Sequence, residues 1–96
     1  MNADLIQNLT RAIERASECK AGHLESVAVV EMFREKVTWE GMVEVFVLAG
    51  HPKATRAYGW AYQDGRETRY IAVLELPPVD SANTAVQAAI AAKAQK

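Results

Sequence analysis

The side chains able to do chemistry are few, and each has a local setting that narrows its role. Cys19 is the single thiol. It falls on the apolar stripe at the end of an expected helix. The helix dipole disfavours a thiolate there and Lys20 offsets this only slightly, so Cys19 reads as a buried structural cysteine. His23 follows at the Gly22 helix end, a solvent-facing or capping position. His51 has the richer setting, because Gly50-His51-Pro52-Lys53 holds an imidazole on a constrained loop beside basic residues, suited to an anion contact. General-base work by His51 would require a partner within hydrogen-bond reach, and a small enzyme centred on it ranks third among the readings. The same loop lacks the second glycine and the Gly-Lys-Ser/Thr ending with which backbone amides cradle phosphate. One Cys and two His exclude a disulfide scaffold and a Cys/His zinc cluster. The nine Glu show no metal or glycosidase spacing. No catalytic residue, metal or cofactor is assigned.

Charge offers the other chemistry. Residues 25–50 hold five Glu against Arg34 and Lys36, while residues 51–70 hold Lys53, Arg56, Arg66 and Arg69 against Asp64 and Glu67. The first half of the expected sheet is therefore acidic and the second basic, and complementary patches on one molecule favour self-association. His51, Lys53, Arg56, Trp60, Arg66 and Arg69 are the candidate binding residues. The alternative partner is nucleic acid, with Tyr58, Trp60 and Tyr62 as stacking platforms beside the arginines. A net charge of −1 removes non-specific polyanion binding as a default.

These residues need elements to position them. Leu5, Ile6, Leu9, Ala12, Ile13, Ala16 and Cys19 recur at helical spacing, predicting a helix over residues 4–20 with Gly22 just past its end. Val27-Ala28-Val29-Val30 is β-branched and apolar on consecutive positions, which predicts a strand to Phe33; a helix through Met32–Lys36 is the competing reading. After a turn at Arg34-Glu35-Lys36, a second strand runs from about Val37 to Leu48, with a bulge expected at Glu40-Gly41. Ala57 to Tyr62 alternates small and aromatic side chains. Asp64-Gly65 then separates it from Tyr70 to Leu76, a strong hairpin signal. Pro77-Pro78 ends the sheet, and Asp80 or Ser81 caps a last helix whose Ala82, Ala85, Val86, Ala89, Ile90 and Ala92 face inward.

The second hairpin admits two registers. A two-residue Asp64-Gly65 loop sets Trp60 opposite Arg69, leaving Tyr58, Trp60 and Tyr62 on a charged, open face. A three-residue Gln63-Asp64-Gly65 loop sets Tyr58 opposite Tyr70 and gathers the aromatics with Ala72 and Leu74 as core. The second keeps like with like and is the favoured register.

The whole is a single α+β domain over residues 1–96, ordered α-β-β-β-β-α, with a four-stranded antiparallel meander and both helices on one face. Two helices on one face leave the other to water or a partner. Seventeen of the 48 apolar residues are Ala, so the core is thin and a second copy would help complete it. The order resembles the double-stranded-RNA-binding domain in topology alone. That family sets a basic cluster at the start of its last helix, where this chain has Asp80-Ser81-Ala82-Asn83-Thr84. No apolar run approaches the roughly 18 residues of a membrane span, and the N-terminus lacks a basic signal-peptide region, so a cytoplasmic location is expected.

Trp39-Glu40-Gly41, Val45-Phe46, Gly50-His51-Pro52, Ala57-Tyr58-Gly59-Trp60, Tyr70 to Leu74 and Pro77-Pro78-Val79 leading to Thr84-Ala85-Val86 together carry a resemblance. Over about residues 25 to 90 the chain resembles a family of small uncharacterised bacterial proteins. That resemblance implies a bacterial cytoplasmic origin and supplies no catalytic residue. The sequence as a whole points to a non-enzymatic protein-binding or self-associating module, with a protein partner or a second copy in a homodimer, that uses its open sheet face or an edge strand. Weak nucleic-acid binding through Lys53, Arg56, Arg66 and Arg69 is the alternative.

Overall fold

The amphipathic stripe at the start of the chain winds into α1, Ala3–Ser17, which buries Leu9 and Ile13 completely. In this computed structural model, which describes residues 3–94, five further elements follow: β1 (Lys20–Phe33), β2 (Lys36–Ala49), β3 (Arg56–Asp64), β4 (Glu67–Leu74) and α2 (Ala82–Ala94). The strands form one antiparallel sheet in the sequential order β1-β2-β3-β4, the α+β meander expected from the sequence.

Helix α1 stops earlier than its periodicity suggests. Glu18 takes the left-handed conformation (φ 57°) and returns its N–H to Glu14 O at 2.8 Å, so the cap is Glu18 and not Gly22, which lies inside β1. Ser17 is buried and donates its hydroxyl to Ile13 O at 2.7 Å, closing the last turn. Half-buried Cys19 lies just beyond, its Sγ 3.2 Å from Ser17 Oγ. Helix α2 is capped by Ser81, whose Oγ accepts the Thr84 N–H at 3.2 Å while Thr84 Oγ1 accepts the N–H groups of Asp80 and Ser81, a reciprocal N-terminal cap.

Both hairpins close on two-residue loops. Arg34 (φ 53°) and Glu35 (φ 67°) make the first, between the paired residues Phe33 and Lys36. Gly65 (φ 67°) and Arg66 make the second, between Asp64 and Glu67. Neither expected register holds: Tyr58 pairs with Val73, Trp60 with Ile71 and Tyr62 with Arg69. A glycine at the first loop position suits a tight hairpin, and Asp64 is thereby left on the strand to meet Arg69. The first hairpin slips register at Leu24 on β1 and at Thr38 on β2, not at Glu40-Gly41. Gly41 has another purpose, since a Cβ there would sit 3.1 Å from the Trp39 ring that lies over it.

The largest departure from the sequence reading concerns the helices, which lie on opposite faces of the sheet. One face joins Val29, Val43, Val45, Tyr58 and Trp60 to Ala82, Ala85 and Val86 of α2. The other joins Phe46, Leu48 and Ala57 to Leu9 and Ile13 of α1. The physical cause is in the strands. Val43, Val45, Phe46 and Leu48 are apolar on both parities of β2, as are Ala57, Tyr58, Gly59 and Trp60 on β3, so both faces demand cover. Gly59 lets α1 approach closely: a Cβ there would lie 3.2 Å from both Ile13 Cδ1 and Leu9 Cδ2.

Candidate functional site

The helices are also offset along the sheet. Helix α1 lies over the second hairpin, where Asn8 Nδ2 donates to Tyr70 Oη at 3.1 Å. Helix α2 lies chiefly across the first, where Asn83 and Gln87 donate to the Glu31 carboxylate at 3.1 and 3.0 Å. Each hairpin is therefore covered on one face and bare over part of the other. Uncovered sheet surface exists, as two half-faces on opposite sides in place of one whole face.

The outer half of the first hairpin is the more exposed. Pairing of Ala28 with Met42, Val30 with Glu40 and Met32 with Val37 puts these side chains on the α1 side of the sheet, beyond the reach of α1. Val30, Met32, Val37 and Met42 remain 47%, 59%, 54% and 50% exposed. Four large apolar side chains grouped around Glu40 are costly to leave in water, about 25 cal/mol for each Å². At the boundary between this patch and α1 lies Glu44, a buried carboxylate on β2. Its Oε1 accepts hydrogen bonds from His23 Nε2 at 2.8 Å and from Ser26 Oγ. His23 is thus a partner of Glu44, stacked edge-on to Phe46, and not a helix cap. Serine and histidine both address the carboxylate and not each other, so the trio orders the strand pair and is not arranged as a nucleophile with its base.

On the opposite face a groove of about 590 Å³ runs between α2 and the second hairpin, lined by Trp39, Trp60, Tyr62, Ile71, Val86 and Ile90 among others. Trp39 and Trp60 meet edge to face at its floor, with centroids 5.6 Å apart. Ile90, expected in the core, is 38% exposed at the groove's rim.

The residues singled out from sequence do not converge. His51 Nδ1 accepts the N–H groups of Lys53 (3.1 Å) and Ala54 (2.8 Å), shaping the β2–β3 loop and seating buried Ala54. Its imidazole is thereby committed to structure. Exposed Lys53 and Arg56 stand at that end of the second hairpin, and Arg69 and Arg66 toward its far tip, about 20 to 26 Å from Arg56 along the strand at 3.3 Å per residue. Arg69 is already paired with Asp64 (3.3 Å) and Glu67 (3.0 Å). Trp60 is only 3% exposed and belongs to the core.

Tyr58, also buried, donates to Glu75 Oε2 at 2.5 Å, and burial followed by that carboxylate pushes its hydroxyl up to about 12. Among the described residues no group of three or more His, Cys, Asp or Glu gathers to hold a metal, and no helix is long and apolar enough to cross a membrane. The feature that sequence reasoning missed is the concentration of exposed apolar side chains on the outer half of the first hairpin. The signal for it was Val30, Met32, Val37 and Met42 falling beyond the span that a fifteen-residue α1 can cover. Set against protein families, curated proteins and solved structures, the chain matches none of them.

Proposed function

We propose that this protein is a non-enzymatic self-associating module whose contact is the outer half of the first hairpin. The observation that carries the reading is the row of four half-exposed apolar side chains, Val30, Met32, Val37 and Met42, on a half-face that neither helix covers. A second copy is the favoured occupant because apolar patches are self-complementary under two-fold symmetry. The patch also adjoins β1, the edge of the sheet, so it presents side chains and open backbone together. The scattered Lys53, Arg56, Arg66 and Arg69 do not favour the nucleic-acid alternative, since a phosphate-tracking surface needs its cations together.

The test is light scattering across a dilution series, repeated with Val30→Lys and Met32→Lys. Wild type should pass from dimer to monomer on dilution, and each lysine should raise the dissociation constant roughly tenfold, about 1.4 kcal/mol. A wild-type monomer at every concentration would sink the proposal.

A further inference from the structure

Resting on that reading, we infer that two copies pair β1 with β1 in antiparallel fashion about a two-fold axis through Ser26, with Lys20 of each copy facing Glu31 of the other. The direction of the open peptide groups fixes which residues take part. Leu48 sends its N–H toward β3, to Thr55 O at 2.9 Å. Ala21, opposite Leu48, sends its own outward to Glu14 Oε2 at 2.9 Å. Alternate residues of a strand share a direction, so following the register through the Leu24 bulge turns His23, Ser26, Ala28 and Val30 outward as well.

Charge then selects among the two-fold registers at mid-strand. An axis through Ala28 sets Glu25 against Glu31 of the second copy on one face, which is repulsive. An axis through Val27 sets Lys20 against Phe33 and Glu31 against Gly22, which gains nothing. An axis through Ser26, with Leu24 bulged, pairs His23 with Ala28, Gly22 with Val29 and Lys20 with Glu31, the last two side chains projecting on the α2 side. Glu31 takes its hydrogen bonds from the neutral amides of Asn83 and Gln87. Its charge is therefore unbalanced within the chain. Among the described residues, exposed Lys20 enters no salt bridge. Each has what the other lacks.

The Glu14 carboxylate on the Ala21 N–H trims the edge at its start. The ladder therefore runs from His23 to Ala28 in each copy, and the two Lys20–Glu31 pairs close its ends. The same pairing brings the C-terminal end of each α1 alongside Met32 of the other copy, partly covering the bare half-face.

Sedimentation equilibrium on the full chain tests this, with circular dichroism to check that each variant folds. Lys20→Glu should raise the dimer dissociation constant about tenfold or more, because two symmetry-related attractions become repulsions. Adding Glu31→Lys to it should bring the constant back toward wild type. If wild type dimerises but Lys20→Glu leaves the constant unchanged, or the double variant is no tighter than the single, the register is overturned while self-association stands. A wild-type protein that stays monomeric overturns both.

Discussion

Replacing Gly59 with alanine tests the two-sided arrangement at its tightest point. The new Cβ would lie 3.2 Å from Ile13 Cδ1 and Leu9 Cδ2 and 3.3 Å from the Ile71 carbonyl oxygen. Comfortable carbon contacts are about 3.5–4.0 Å, so α1 must lift by a few tenths of an ångström or its side chains must leave their rotamers. Overpacking of that kind costs about 1–3 kcal/mol. Alanine recovers roughly 0.5–1 kcal/mol of the backbone entropy that glycine loses in a strand. The net expectation is about 1 kcal/mol of destabilisation, a fall of about 4–8 °C in Tm for a domain this size.

Urea unfolding followed by tryptophan fluorescence measures it, and an unchanged m value would show that the surface exposed on unfolding is the same and the change is one of stability. Leu9→Ala by itself should cost about 2–5 kcal/mol. Combined with Gly59→Ala it should cost less than the sum, because the cavity accepts the new methyl group. Gly59→Ala without loss of stability, together with strict additivity, would mean that α1 is not seated on the Gly59 face.

Three further outcomes follow from local geometry. Arg34→Asn with Glu35→Gly relieves two positive-φ residues of the first loop and should raise stability by about 1 kcal/mol, read as a higher Tm. Tyr58 holds its proton in the folded state to about pH 12, whereas the unfolded chain releases it near 10. The stability it contributes is therefore complete below pH 10 and is lost as pH rises through 12, by about 2–3 kcal/mol; Tyr58→Phe should flatten that slope in urea titrations. His51→Ala removes the acceptor for two loop N–H groups and should cost about 1–2 kcal/mol, with faster hydrogen exchange at Ala54.

Much of the architecture is written locally. The helical stripe of α1, the Gly65 turn and the Ser81 cap each act over a few residues, so the order of elements and the antiparallel meander follow from the sequence. What escaped is non-local. Gly65-Arg66 and Asp64-Gly65 are both competent loops, and only the far ends of the strands, where Tyr58 reaches Glu75 and Ala57 meets Leu74, choose between them. The run from Val43 to Leu48 is apolar on both sides, a signature of burial on two faces, but it takes the register to show which helix meets which side. The binding residues were inferred from charge along the chain, whereas folding separates Lys53 and Arg56 from Arg66 and Arg69 and ties His51 into its own loop. The exposed row on the first hairpin depends on the length and placement of α1, which no local pattern states.

The crossing of the helices bears on synthesis. Helix α1 is made first yet covers the second hairpin, and α2 is made last yet covers the first. On the ribosome the first hairpin therefore emerges with Val29, Val43 and Val45 bare and waits for almost the whole chain before Val86 arrives to shelter them. At about 5–20 residues per second that interval lasts a few seconds, during which these strands stand without their cover. Shortening the message after residue 81 should turn the product from a folded protein into a substrate for chaperones, seen as its capture by them during translation.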